Sequence, residues 1–148
     1  MLRVLVATDG SEASLKAGRV AAEFFRHVPE KEFTIIYVKD LSVAYMSVPA
    51  DVGAEVSPNI RFLQEELDRA SEQALNAMEA VLKQEGIEPK RRVEWGRPAD
   101  VITRIAEDEN FDLIVVGSSG MGQITGLLLG SISDRVVHRS KVPVLVVR

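Results

Sequence analysis

Apolar runs alternate along the chain with segments whose apolar residues recur at helical spacing. Residues 2–8 (LRVLVAT) form a short β-rich run closed by Asp9-Gly10. Ser11 stands as an N-cap before a helix with Ala13, Ala17, Val20, Ala21, Phe24 and Phe25 on its apolar side. Lys16, Arg19, Glu23 and Arg26 lie outside. Residues 33–38 (FTIIYV) predict a second strand. Ser57-Pro58 opens a long helix striped by Leu63, Leu67, Ala70, Ala74, Ala77, Met78, Val81 and Leu82 and ended by Gly86. Residues 91–95 (RRVEW) read as a short strand with charged alternation, and Pro98 opens a helix with Val101, Ile102, Ile105 and Ala106 inward. Residues 112–116 (DLIVV) predict a buried strand and 117–130 a glycine-rich loop. A fourth helix over 131–140 and a last strand over 142–147 (VPVLVV) complete the pattern.

Strand–helix alternation with nearly continuous Val/Ile/Leu strands calls for a parallel sheet covered on both faces. The expectation is an α/β fold in one domain over residues 1–148. It has a doubly wound five-stranded sheet of order 3-2-1-4-5 and right-handed crossovers. Ligands in such sheets sit beyond the carboxyl ends of the strands. The turns at Asp9-Gly10-Ser11, after Val38, at Gly96-Arg97-Pro98 and over 117–131 are therefore where chemistry is sought.

Composition narrows the chemistry. With 18 basic against 22 acidic residues and a net charge of −4, the chain repels a nucleic-acid backbone, and no Lys/Arg cluster interleaves with aromatics. A mononucleotide stays open, because a few oriented N–H groups can hold it without a basic surface. The absence of cysteine excludes disulfides, thiolate nucleophiles and Cys-ligated zinc. No apolar run reaches the ~18 residues of a membrane span, and MLRVLVATDG has no signal-peptide pattern. The expected residence is cytoplasmic, without membrane insertion.

The glycine segment GSSGMGQITGLLLGS follows a strand and precedes a helix. Its glycines permit close approach of backbone to a ligand, and Gly130-Ser131 sits where a helix presents N–H groups to an anion. Familiar labels fail. There is no Gly-Lys pair for a Walker loop. A dinucleotide fingerprint starting at Gly120-Met121-Gly122 meets Thr125 at its third glycine. Gly117-Ser118-Ser119-Gly120 is one residue short of a nucleophile elbow.

The segment resembles the nucleotide-binding branch of the universal stress protein family. That family's pattern is Gly, two residues, Gly, nine residues, then Gly with Ser or Thr; here Gly117, Gly120, Gly130 and Ser131 meet it. LVATDGSEAS, GRPADVI, DLIVVGSSGMG, LLLGSISDRVVHRS and VPVLVV are similar to the family as well, so the resemblance spans essentially the whole chain. It implies an adenine nucleotide alpha hydrolase-like fold and bound ATP, with ADP or AMP as alternatives. It further implies that Gly117 lies near the ribose, while Gly120, Gly130 and Ser131 contact phosphates. By the same resemblance Asp9 stands beside the ribose, phosphates and a divalent metal, the backbone of Val38 recognises adenine, and Ala7 and Thr8 line the floor. A carboxylate beside a triphosphate needs an intervening cation, so Asp9 as a contact implies Mg²⁺ or Mn²⁺; otherwise Asp9 bonds its own turn. Many relatives carry a large basic or imidazole side chain where Ser119 stands, which shifts phosphate binding here onto backbone donors, the helix terminus and a metal.

Other candidates read more blandly. His27 and His138 lack partners at metal-ligand spacing, Arg97 is a solvated loop residue, Arg135 lies within one turn of the phosphate position, and Glu107-Asp108-Glu109 is a solvated helix end. Residues 39–57 form a long connection with Leu41, Val43, Tyr45, Met46, Val48, Val52 and Val56, suited to covering the nucleotide or packing on a partner. The last strand is almost wholly aliphatic, and an open apolar edge invites pairing; a homodimer through residues 142–147, with higher oligomers open, meets this, and the family resembled commonly associates so. Function is expected as an ATP-dependent stress-response or signalling module. The alternatives are a slow metal-dependent ATPase or phosphotransferase, and a dimerisation module without nucleotide.

Overall fold

The computed structural model describes residues 1–40, 42, 58–119 and 129–148. In chain order the elements are β1 (Leu2–Ala7), α1 (Glu12–Phe24), β2 (Lys31–Lys39), α2 (Pro58–Gln84), β3 (Lys90–Trp95), α3 (Pro98–Asp108), β4 (Leu113–Gly117), α4 (Ser131–Arg139) and β5 (Val144–Val147). The five strands form one sheet of order β3-β2-β1-β4-β5, every neighbouring pair parallel. This is the predicted doubly wound α/β architecture.

Side-chain alternation splits the interior into two layers. Val4 and Val6 of β1, Phe33 and Ile35 of β2, Val115 of β4 and Val147 of β5 face α1 and α2. Leu5, Ile36, Ile114 and Val116 face α3 and α4. The central strands are buried on both sides, which is why they read as unbroken apolar runs. Phe33, Leu5, Ile35, Ile36 and Ile114 are fully buried, and side chains of this size each contribute about 1.5–3 kcal/mol by leaving water.

The helices refine the sequence expectations. The buried side of α1 is Ser14, Ala17, Gly18, Ala21 and Ala22. That face is centred between Gly18 and Ala21, which places Phe24 on its flank in the last turn. Phe24, expected inward, is 68% exposed. In α2 the deepest residues are Ser71, Ala74, Leu75, Met78 and Leu82; Leu75 is added to the expected stripe, while Leu63, Leu67, Ala70, Ala77 and Val81 stay half-buried. Gly86 follows the last turn of α2 at φ +77°. The Ser57 cap, and nearly all of the connection over 39–57, lie outside the described residues.

Candidate functional site

A cleft of about 220 Å³ opens over the carboxyl ends of β1, β2 and β4. The chain leaves β1 toward β2 on one side and reaches β4 on the other, so the cleft sits where the strand order reverses. Ala7, Thr8 and Asp9 continue from β1, Ile36, Tyr37 and Val38 come from β2, and Val116, Gly117 and Ser119 from the end of β4. The first turn of α4 adds Gly130, Ser131, Ile132 and Ser133, with Ser14 of α1 and Pro98 and Ile102 of α3 closing the wall.

The turn after β1 is tightly ordered by its own side chains. Ser11 caps α1 by accepting the Ser14 N–H at 3.2 Å. The Ser14 hydroxyl donates to the Ser11 carbonyl at 2.9 Å. That leaves the Thr8 hydroxyl as donor in its 3.0 Å bond with Ser14 and acceptor of the Gly10 N–H at 3.2 Å. Asp9 accepts the Ser11 N–H at 2.9 Å, so its carboxylate serves the turn and lines the cleft together.

At the junction of β4 and α4, packing explains the glycines. A Cβ on Gly117 would lie 2.8 Å from the backbone carbon and oxygen of Ala13, inside any tolerable contact. The glycine lets β4 end against the first turn of α1. Ser118 donates its N–H to Val147 at 2.9 Å, extending the β4–β5 ladder, and its carbonyl accepts the Gly130 N–H at 2.6 Å. The buried Ser133 hydroxyl lies 3.1 Å from that carbonyl and 3.2 Å from the Gly130 carbonyl. Gly130 therefore spends its N–H inside the protein. The donors that open α4 are those of Ser131, Ile132 and Ser133, which have no carbonyl four residues back within the helix. Gly130 adds no side-chain cap.

The end of β2 is built differently. β1 and β2 pair as far as Ala7 opposite Ile36, and the Thr8 N–H closes that ladder on the Ile36 carbonyl at 3.0 Å. Alternate residues of a parallel strand face the same neighbour. The N–H and C=O of Val38 thus face the side from which β1 has turned away. Lys39 faces β3, its carbonyl accepting the Gly96 N–H at 3.0 Å. Burial, then the negative charge of Asp9, raise the Tyr37 phenol above its ordinary value, so it remains a neutral hydroxyl.

Ala7, Thr8, Asp9, Val38, Gly117, Gly130 and Ser131, expected from sequence to meet at one site, all line this cleft. Gly120 lies outside the described residues. Reasoning from sequence missed Tyr37, Ser14 and Ser133. Tyr37 had a signal in being adjacent to Val38; the two serines had none, because their roles depend on loops meeting in space. Arg97 and Arg135 are exposed and do not line the cleft. His27 is exposed, and His138 lies 3.4 Å from the Asp134 carboxylate at the surface. Among the described lining residues Asp9 is the charged side chain.

The donor set bears on a divalent cation. Among the described residues no three His, Cys, Asp or Glu side chains gather to form a protein-only metal site. One carboxylate with hydroxyls nearby suits Mg²⁺ or Mn²⁺ held jointly with ligand phosphates, the usual arrangement for the smaller ion. Among the described residues no helix is long and apolar enough to cross a membrane.

The chain is similar over nearly all its length to proteins already known. A universal stress protein of Methanocaldococcus jannaschii is 31% identical over 146 residues, 99% of this chain and 81% of that protein. The universal stress protein UspA from Lactobacillus plantarum has a TM-score of 0.77 at 25% identity, covering 99% of this chain and 97% of that one. A universal stress protein solved in complex with cAMP has a TM-score of 0.70 at 28% identity, covering 99% of this chain and 97% of that one. The model of the universal stress protein family matches residues 1–148. With the strand order and the cleft as described, the chain belongs to the universal stress protein family.

Proposed function

We propose that the cleft binds an adenine nucleotide, ATP together with Mg²⁺ or Mn²⁺, and that the protein works as a nucleotide-dependent module of stress response or signalling. One observation supports this reading: Val38, whose N–H and C=O lie on the side that β1 has left, and the first turn of α4, whose N–H groups have no partner within the helix, line one cavity. Adenine offers an acceptor at N1 and a donor at its amino group, which complements the N–H and C=O of a single residue. A phosphate offers only acceptors, which suits the start of a helix. The ribose then spans Asp9 and Gly117, over the floor of Ala7 and Thr8.

In this reading Ser131 adds its hydroxyl to the backbone donors, and Gly120 completes the cradle. Asp9 would help hold the cation, which when bound would offset the charge of the phosphates. A related universal stress protein solved in complex with cAMP supports a nucleotide as the kind of ligand bound here. The lack of a cationic side chain among the described walls favours a second ligand class, a monophosphate or cyclic nucleotide, wherever divalent metal is scarce. We also propose cytoplasmic residence and a homodimer joined through β5, whose Val144, Leu145 and Val146 remain only half-buried in one chain. Val146→Lys should then yield a monomer in analytical ultracentrifugation.

Denaturing the purified protein and identifying the released small molecules tests the central reading. Recovery of ATP, ADP or AMP supports it. A protein that releases none, and whose melting temperature is unmoved by millimolar adenine nucleotide with or without Mg²⁺, overturns it.

A further inference from the structure

From the geometry around the end of β2 we propose that Lys39 is a positioning residue for base recognition, acting through Val38. The proposal rests on the nucleotide reading above and deepens it. Beyond Ala7 opposite Ile36, the last residues of β2 have lost β1 as a neighbour. Their remaining lateral support is β3, itself the edge of the sheet. A strand end held on one side by an edge strand is where a sheet opens most readily. Base recognition there needs the backbone of Val38 held still, because a site that must be ordered on binding loses affinity and selectivity.

Lys39 ties that end down in three directions. Its carbonyl accepts the Gly96 N–H at 3.0 Å, past the end of β3. Its ammonium is paired with the Asp68 carboxylate of α2 and lies 4.7 Å from the centroid of the Trp95 ring. Trp95 is its direct cross-strand neighbour in the β2–β3 register. Lys39 is only 9% exposed, and a lysine is buried to this degree when its charge is paired. The side chain does not line the cleft. It therefore acts on the ligand through the backbone of the residue before it, a cross-brace between β2, β3 and α2.

The effect should appear in discrimination between bases. Guanine carries a donor at N1 and an acceptor at O6, the reverse of adenine, so a rigid Val38 edge rejects it. A mobile edge accepts it by reorienting. Affinities for ATP and GTP, both with Mg²⁺, are measured by calorimetry on the full chain for wild type, Lys39→Met and Asp68→Asn, alongside melting temperatures. Wild type should prefer ATP by roughly a hundredfold, as expected where a polar backbone group would be left unpaired by the wrong base. Lys39→Met should cut that preference to about tenfold or less, mainly by weakening ATP. Asp68→Asn retains the ring contact and should fall between. Because Asp68 is more exposed than Lys39, that variant keeps the test available if Lys39→Met does not fold. Lower melting temperatures with an unchanged ATP to GTP ratio would mean that Lys39 is structural only, and the proposal is wrong. A wild-type protein that binds neither nucleotide overturns the nucleotide reading instead.

Discussion

The two ends of the cleft are made of different materials. At the β2 end, the groups proposed to recognise the base belong to the main chain of one strand, and Lys39, paired with Asp68 and lying over Trp95, stands behind it. At the β4–α4 end, a missing side chain, a main-chain carbonyl and one buried hydroxyl make the construction directly. Gly117 makes room for α1, while Ser118 and Ser133 tie the start of α4 to the end of β4. The first end is held by long-range contacts, the second by close ones. Substitution at the visible lining residue should thus be mild at the first and severe at the second.

Gly130→Glu tests the severe end most strongly. A carboxylate at the first turn of α4 repels phosphate, and ATP affinity should fall at least about a hundredfold, equivalent to ~2.8 kcal/mol. Calorimetry measures it, with circular dichroism confirming the fold. Gly117→Ala should act on stability instead. Its Cβ meets the Ala13 backbone, and overpacking of this kind costs about 1–3 kcal/mol in urea unfolding. If Gly117→Ala is neutral, the close contact with α1 is not what requires glycine there.

Asp9→Asn probes charge at the junction of the two ends. It should weaken ATP with Mg²⁺ by about tenfold, from loss of a metal contact. AMP without metal should bind as well or better, since the charge that repels phosphate is gone. An equal loss for both ligands would mean that Asp9 acts through its turn bond to Ser11 rather than through a cation. Ser133→Ala removes one buried hydroxyl bond and should cost about 1 kcal/mol of stability, with a several-fold loss for ATP and little for adenosine. Val38→Ala should do least, shifting ATP affinity less than about threefold, if the base is read by backbone atoms as proposed. A large loss there would show that the Val38 side chain, and not its main chain, recognises the base.

How far the sequence could be read follows from the range of each interaction. The strands were legible because burial on both faces forces unbroken apolar runs, as in residues 33–38 and 112–116. Helix faces were legible to within one flank. The α2 stripe omitted Leu75, and Phe24 was turned inward, because periodicity gives the phase of a face but not where the neighbouring sheet ends. The glycine spacing picked out Gly117, Gly130 and Ser131, which line the cleft. It could not show that the Gly130 N–H is taken by the Ser118 carbonyl, since Ser118 and Gly130 meet only when β4 and α4 dock.

By itself, the sequence determined the alternation of strands and helices, the order of the chemistry-bearing turns and the composition of the cleft, which has glycine and serine in place of a basic side chain. These depend on local propensity, burial pattern and residue identity. Only the tertiary structure decided which groups remain available to a ligand. Hydrogen bonds are exclusive: the N–H of Gly130 is taken within the protein, while β1 turns away before it reaches Val38. The brace at Lys39 belongs to the same class, because it joins β2 to residues 29 and 56 positions further along the chain, at Asp68 and Trp95.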